Sequence, residues 1–258
     1  MKILITGASG RIGEILRADL AAEHELRLLA HSPMPDTGAE VHQGDVANLD
    51  SIRPALEGVD SVIHLAAAAA VDAEWEPVLA ANIVGARNVY EAARLAGVAQ
   101  VIYASTTHTV AGHERAAAPA IYELDHELAF GIGVEPRPDS LYGASKVFGE
   151  ALGRWYSDVH GLSVVCLRIG YVSGVTDEEF IARTPVAEDF GPADVAVRRR
   201  VRAIWLSRRD CACLFRAALA YKGQWALAYG TSDNPRQIWD LEPARRLLGF
   251  EPLDQAPR

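Results

Sequence analysis

Two residues of the segment LYGASKVFGEAL, Tyr142 and Lys146, have the types and the spacing that proton transfer requires. Residues four apart on a helix lie on one face, one turn from each other. A free tyrosine has a pKa of roughly 10 and is a poor base at neutral pH. A neighbouring ammonium favours the phenolate and is expected to lower this pKa. Such a pair can take the proton of a carbinol while hydride leaves the same carbon atom.

A glycine-rich segment near the amino terminus, GASGRIG, is typical of a dinucleotide site. It joins a predicted strand to a predicted helix, which is the context in which this motif binds a dinucleotide. Gly7 allows the tight turn, Gly10 lets the backbone approach a pyrophosphate, and Gly13 lets helix and strand pack closely. The helix amino terminus adds amide donors and the positive end of its dipole. The predicted cofactor contacts from this segment are Gly7, Ser9, Gly10, Arg11, Ile12 and Gly13.

The residues after the second predicted strand bear on the choice of cofactor. In dinucleotide folds this strand ends in an acid that binds the ribose hydroxyls of NAD, but here Ala30 occupies the place and His31 follows. Without the carboxylate a 2′-phosphate is not repelled, and Arg11 could pair with one. The alternative is that Arg11 and His31 are solvated surface residues. The choice between NAD and NADP therefore stays open and leans toward NADP.

Short apolar strands alternate with helical patterns over most of the chain. The predicted strands lie at 2–6, 25–30, 40–43, 61–65, 100–104 and 163–168. The predicted helices lie at 12–23, 51–56, 74–96 and 142–160. Such alternation indicates parallel βαβ units with right-handed crossovers. The predicted fold class is α/β, a Rossmann-type doubly wound parallel sheet with a small carboxy-terminal substrate cap.

Two segments, 113–139 and 173–200, interrupt this alternation. Both follow predicted strands, where open α/β sheets bind their ligands, and both are predicted to be loops over the active site. The chain, 1–258, is predicted to be a single dinucleotide-binding domain. Its substrate cap is predicted to be built mainly from 171–207 and 225–258.

Composition and charge exclude several classes of protein. A net charge of -9 at pH 7 argues against a nucleic-acid surface. Three cysteines, Cys166, Cys211 and Cys213, are too few and too irregularly spaced for a disulfide framework or a zinc site, and no metal is expected. No segment reaches the ~18 uninterrupted apolar residues of a membrane span. We expect a cytoplasmic protein that acts on a small polar molecule and has no nucleic-acid or membrane partner.

The sequence resembles the extended short-chain dehydrogenase/reductases, the NAD-dependent epimerase/dehydratase group. The matching segments span nearly the whole chain and include GASGRIG, GDV, HLAA, NIVGARNVYEAAR, YASTTHTVAG, YGASK, LRIG and ARRLLGFEP. Within this family the chain is most similar to uronate dehydrogenases. The shared features are the threonine–histidine loop, RPDSLYGASKVFGEAL, and WLSRRD after an arginine cluster.

The resemblance implies roles for individual residues. Tyr142 would be the general base in oxidation and the acid in reduction, and Lys146 would bind the nicotinamide ribose. Thr106 would hydrogen bond the reacting oxygen, with Thr107 as the alternative for that hydroxyl. Asn82 would hold a water molecule or the backbone near the lysine.

Further contacts are implied by the same resemblance. Those to the cofactor would come from Asp45, Val46, Leu65, Ala66 and Ala67. Those to the substrate would come from Thr107, His108, Tyr171, Arg200 and Arg202. Of the two arginines, Arg200 would bind a substrate carboxylate, with Arg202 as the alternative. The segment between Thr106 and Tyr142 is longer than the resemblance predicts, and its extra residues, around IYELDHELAFGIGVE, are expected to rim the pocket.

The expected activity is hydride transfer between NAD or NADP and a carbinol or carbonyl carbon of a small polar substrate. A sugar acid oxidised at its anomeric carbon to a lactone is the leading expectation. The alternative is a sugar epimerase or isomerase that holds NAD tightly. The helices at 74–96 and 142–160 are expected to meet their symmetry mates in a homodimer or higher homo-oligomer, as the resemblance implies.

Overall fold

Seven parallel strands form one sheet in the computed structural model, which describes residues 1–35, 37–124, 126, 130–179 and 192–256. The strands are β1 (Lys2–Thr6), β2 (Glu25–Ala30), β3 (Glu40–Gln43), β4 (Ser61–His64), β5 (Gln100–Thr106), β6 (Ser163–Ile169) and β7 (Trp225–Gly230). Their order, β3-β2-β1-β4-β5-β6-β7, confirms the doubly wound sheet predicted from the sequence. The first six strands lie where they are predicted, whereas β7 was not predicted and falls within the segment assigned to the cap.

Helices connect the strands. Among the described residues they are α1 (Arg11–Leu20), α2 (Leu49–Ile52), α3 (Trp75–Pro77), α4 (Gly85–Ala96), α5 (Ala111–Ala117), α6 (Leu141–His160), α7 (Pro192–Ala203), α8 (Arg208–Ala220) and α9 (Glu242–Leu248). A π-helical segment, Val78–Val84, joins α3 to α4, so the helix predicted at 74–96 is present with a wider turn in its first half. The helix predicted at 142–160 is confirmed as α6. None of the described helices is long and apolar enough to span a membrane.

The two faces of the sheet carry separate apolar layers. Successive residues of β1 point to opposite faces, so that Ile3 and Ile5 lie in one layer and Leu4 in the other. Side chains of α1, α8 and α9 complete the first layer, and side chains of α2, α4 and α6 complete the second. Because helices cover both faces, β4 and β5 are buried along their whole length.

The two segments predicted to be loops contain helix. Within or beside 113–139 lie α5 and the 3-10 turn Ala120–Tyr122, and α7 begins inside 173–200. Residues 125, 127–129 and 180–191 of these segments lie outside the described residues, as do 257–258 of the predicted cap. The helix α5 places Glu114 in the interior, which the local sequence pattern did not indicate, because the charged partner of this carboxylate, Arg200, is far away in the chain.

The segment that follows α9 is tied to α8 by buried polar groups. Asp210, which is fully buried, accepts the backbone N–H of Leu253 at 2.8 Å and of Asp254 at 3.0 Å. The Asn234 Oδ1 accepts the backbone N–H of Ala256 at 3.0 Å. These bonds hold the carboxy-terminal segment against the first turn of α8 and against the chain that follows β7.

Candidate active site

A cleft of about 570 Å³ opens at the carboxyl ends of β1, β4, β5 and β6. The predicted site residues that line it are Gly7, Ser9, Gly10, Arg11, Ile12, Gly13, Leu65, Ala66, Ala67, Thr106, His108, Tyr142, Lys146 and Tyr171. It is also lined by residues that were not predicted, namely Ala69, Ala104, Ser105, Ile169, Gly170 and Val172. Most of these unpredicted residues stand at or just after the carboxyl ends of β5 and β6. They could have been found if the two strands had been predicted to their full length, because ligands bind at the carboxyl ends of such strands.

The glycine loop has the shape that a pyrophosphate requires. Gly7 has a φ of 66°, and a Cβ there would lie 2.7 Å from the Ala66 backbone nitrogen. A Cβ at Gly13 would lie 2.6 Å from the Ala8 carbonyl oxygen, so only glycine allows α1 to pack this closely. No side chain caps the amino terminus of α1. Its first amides and the positive end of its dipole therefore fit an anionic group in the cleft.

Tyr142 and Lys146 are placed in the cleft by the first turns of α6. The helix begins after Ser140, whose Oγ accepts the backbone N–H of Gly143 at 3.0 Å. The Lys146 Nζ donates to the Ala104 carbonyl oxygen at 2.7 Å and lies 5.8 Å from the centre of the Tyr142 ring. The lysine thus stands between the tyrosine and the end of β5.

The pKa values of the pair differ from the expectation drawn from the sequence. Burial raises the pKa of Tyr142, and a hydrogen bond with the Thr106 side chain acts in the opposite direction. Burial lowers the pKa of Lys146 to about 8. The predicted lowering of the tyrosine pKa by the ammonium is therefore not seen, because Lys146 faces the Ala104 carbonyl and lies 4.7 Å from the centre of the Tyr103 ring.

The two candidate threonines have different surroundings. Thr106 ends β5, lines the cleft and bonds with Tyr142. Thr107 is buried and is not among the residues that line the cleft. The geometry therefore favours Thr106 over Thr107 for the hydroxyl that would hold a reacting oxygen.

Asn82 lies behind the cleft, in the π-helical segment, and is buried. Its Oδ1 accepts the backbone N–H of Ala68 at 2.7 Å, and its Nδ2 donates to the Ala68 carbonyl oxygen at 3.1 Å. The Nδ2 also donates to the Ser145 Oγ at 2.9 Å. Asn82 therefore joins the chain after β4 to the residue that precedes Lys146.

His108 reaches the cleft beside Tyr142. The two ring centres are 6.0 Å apart and the ring planes meet at 61°. The His108 Nδ1 lies 3.0 Å from each carboxylate oxygen of Asp139, which also pairs with Arg115 at 2.9 Å. Burial raises the pKa of Asp139, but the charges and hydrogen bonds of His108 and Arg115 outweigh it and hold the pKa below its ordinary value.

The two arginines that the resemblance assigned to a substrate carboxylate are not among the residues that line the cleft. The Arg200 Nε pairs at 2.7 Å with Glu114, a fully buried carboxylate that also accepts the Tyr122 hydroxyl at 2.6 Å. Arg202 is buried. The structure therefore gives Arg200 a partner within the chain in place of the expected substrate carboxylate.

The extra residues before Tyr142 do not rim the cleft where they are described. Ile121, Tyr122 and Phe130 pack with Ile238 and Trp239 in a separate apolar cluster. The Phe130 amide donates to the Ile238 carbonyl oxygen at 2.8 Å. The described residues of this insertion are thus not among those that line the cleft, and they pack against Tyr171, which does line it.

Three of the predicted cofactor contacts, His31, Asp45 and Val46, lie on the β2 side of the sheet. His31 and Asp45 are exposed just after β2 and β3, and Val46 is buried beside Gly85. None of the three lines the cleft. Arg11 points the other way, because its Nη1 donates to the Val172 carbonyl oxygen at 2.8 Å, beyond β6. Since β2 and β6 lie on opposite sides of β1, the placement of Arg11 does not support the predicted lean toward NADP.

A buried ionic network lies behind the cleft and was not predicted. Glu150, one turn after Lys146 on α6, accepts from the Arg168 Nη2 at 2.8 Å and the Arg168 Nε at 2.9 Å. The Ser105 Oγ, at the end of β5, donates to the Glu150 Oε1 at 2.5 Å. The network joins α6 to β5 and β6, two of the four strands whose carboxyl ends form the cleft.

Known proteins share this architecture. The model of the NAD dependent epimerase/dehydratase family matches residues 3–186. The L-arabinose 1-dehydrogenase (NAD(P)(+)) of Haloferax volcanii is 38% identical over 99% of this chain and 97% of its own length. The NAD-dependent glucose-6-phosphate dehydrogenase of the same organism is 34% identical over 98% and 94%, respectively. A mutant uronate dehydrogenase from Agrobacterium tumefaciens, solved as a complex with NAD, is 30% identical and has a TM-score of 0.78 over 99% of this chain and 85% of its own.

Proposed function

The chain belongs to the NAD dependent epimerase/dehydratase family, as its sequence predicted, and we propose that it is an NAD(P)-dependent dehydrogenase that oxidises the anomeric carbinol of a sugar or sugar acid to a lactone. The observation that carries the proposal is the placement of Thr106, Tyr142 and Lys146 in one cleft with the glycine loop. The names of the relatives support the choice of a sugar dehydrogenase over an epimerase, since each of them is called a dehydrogenase.

The residues of the cleft have separate roles in the proposed reaction. A nicotinamide held in the cleft would supply the acceptor for the hydride of the carbinol carbon. The glycine loop and the first amides of α1 would bind its pyrophosphate. The hydroxyls of Thr106 and Tyr142 hydrogen bond the substrate oxygen, and Tyr142 takes its proton as general base. Lys146, whose pKa burial lowers to about 8, still carries a positive charge at neutral pH and would bind the nicotinamide ribose.

A cofactor-reduction screen tests this proposal. The purified protein is mixed with NAD or NADP and with three groups of compounds, namely neutral aldoses, uronic acids and aldose phosphates. We expect reduced cofactor to accumulate in proportion to the sugar consumed, and the lactone or its aldonic acid to appear by NMR. Inversion of a sugar carbon without net reduction of the cofactor would instead assign the protein as an epimerase.

The screen uses both cofactors because the described residues near the end of β2 include no feature that selects NAD or NADP. Ala30 ends β2 without the acid that selects NAD, and Arg11 is turned away from that strand. The name of one relative specifies NAD and that of another specifies NAD(P).

We also propose that the protein is a homodimer joined through α4 and α6. These adjacent helices, with the turns that precede α4, expose several large apolar side chains, namely Trp75, Leu79, Val84, Leu141, Phe148, Trp155 and Val159. A contiguous apolar surface of this kind is typical of an interface between two copies related by a twofold axis.

Light scattering tests the dimer. We expect twice the mass of the 27.9 kDa chain at micromolar concentration. The double substitution Phe148→Glu and Trp155→Glu should shift the mass to that of the monomer, because it places charge in the apolar contact. Leu253→Glu is the control, since Leu253 is exposed on a different part of the chain. A monomer mass for the unaltered protein would exclude the proposed dimer.

A further inference from the structure

His108 has one ring nitrogen that pairs with a carboxylate of the protein, and the residue lines the cleft beside Tyr142. The Nδ1 lies 3.0 Å from both oxygens of Asp139. An ionised carboxylate can only accept hydrogen bonds, so Nδ1 must carry the proton that is shared with it. In the neutral imidazole the other nitrogen, Nε2, is then an acceptor. Among the described residues no hydrogen-bond partner is found for Nε2, and His108 lines the cleft.

Asp139 is itself held firmly. Its side chain is 1% exposed, and it accepts from Arg115 and from the Ser140 Oγ, the latter at 3.1 Å. Ser140 is the residue that caps α6, so the carboxylate is fixed to the start of the helix that carries Tyr142. The His108 backbone N–H points to the Thr106 Oγ1 at 3.3 Å. The imidazole is therefore oriented by the same elements that place the proposed catalytic hydroxyls.

We propose that Asp139 is a positioning residue that keeps His108 in the Nδ1–H tautomer, so that Nε2 accepts a hydrogen bond from a substrate hydroxyl close to the reacting carbinol. This inference rests on the proposed function. It defines the substrate as a polyhydroxylated compound that donates a hydroxyl to the cleft beside Tyr142. A sugar that lacks this hydroxyl leaves the acceptor without a partner and is a poor substrate.

The tautomer can be measured without any substrate. In ¹⁵N NMR spectra recorded at a pH where the imidazole is neutral, the Nδ1 of His108 should have the shift of a protonated nitrogen and Nε2 that of an unprotonated one. In Asp139→Asn, whose amide can donate to Nδ1, the population should move toward the Nε2–H tautomer. A protein whose Nε2 already carries the proton before substitution would overturn the proposal, whatever the activity of the enzyme.

Kinetics give the second test. We expect Asp139→Asn to lower kcat/KM by about ten- to a hundredfold on the best sugar from the screen. It should have much less effect on the analogue that lacks the hydroxyl proposed to bind the His108 Nε2. Assays of a series of monodeoxy sugars identify that analogue. A purely structural role for Asp139 predicts the same loss on every substrate, and that result would overturn the proposal.

A double substitution separates positioning from general damage. Because Asp139 acts through His108, adding Asp139→Asn to His108→Gln should cause little further loss, whereas independent effects would multiply. Asp158→Asn is the matched control, as it removes the charge of an exposed carboxylate at the other end of α6. If no sugar is oxidised at all, the proposed function fails, while the NMR measurement still decides the tautomer.

Discussion

Tyr142→Phe is expected to lower kcat by about 10²- to 10⁴-fold, the usual effect of losing a general base, and to leave the Kd for the cofactor nearly unchanged. The phenyl ring keeps the packing of the first turn of α6, and only the hydroxyl that bonds with Thr106 is lost. The measurement is steady-state turnover of the substrate found in the screen, together with cofactor titration by fluorescence.

Tyr156→Phe is the matched control for this substitution. Tyr156 lies on the same helix but outside the cleft, and its hydroxyl donates to Glu91 at 2.9 Å. Its loss should leave kcat within a few-fold of the unaltered enzyme. Full turnover by Tyr142→Phe would remove the tyrosine from the chemistry, and the proposed mechanism would then be wrong.

Glu150→Ala is expected to lower the free energy of unfolding by about 3–5 kcal/mol, because it leaves the guanidinium of Arg168 buried without its counter-charge. Both members of this pair are buried, with exposures of 6% for Glu150 and 2% for Arg168. The loss also removes the acceptor of the Ser105 hydroxyl. Denaturation in urea, followed by circular dichroism, measures the change.

An exposed ion pair on the same helix provides the comparison. Arg154 and Asp158 are four residues apart on α6, and each side chain is 52% exposed. Asp158→Ala should change the free energy of unfolding by about 0.5 kcal/mol or less, because solvent screens this pair. The double substitution Glu150→Met with Arg168→Met should recover much of the lost stability. Equal effects of Glu150→Ala and Asp158→Ala would show that the buried pair does not stabilise the fold.

The parts of the site that could be predicted are those set by local spacing. The turn of helix between Tyr142 and Lys146 and the glycines that open α1 are contained in short segments. Pairs that form across the chain could not be predicted in this way. Glu150 meets Arg168 only because α6 packs on β6, and Glu114 is buried only because Arg200 and Tyr122 pair with it.

Arg11 is another residue whose partner could not be predicted from the local sequence. The sequence suggested a partner near the end of β2, whereas the guanidinium donates to the carbonyl oxygen of Val172, which follows β6. Sequence patterns predicted β1, β2, β4, β5 and β6 because these strands contain apolar runs between turns, whereas β3, EVHQ, has a single apolar residue. The strand β7 is as long as β2 and pairs with β6, but it lies in the segment that was assigned to the cap and was therefore not predicted as part of the sheet.

The bonds from Asp210 to the backbone of Leu253 and Asp254 have a practical consequence for producing the protein. They make the carboxy-terminal segment part of the folded core, so that a truncation before Leu253 would leave a buried carboxylate without these donors. Expression libraries that vary the carboxyl end should therefore retain residues 253–256.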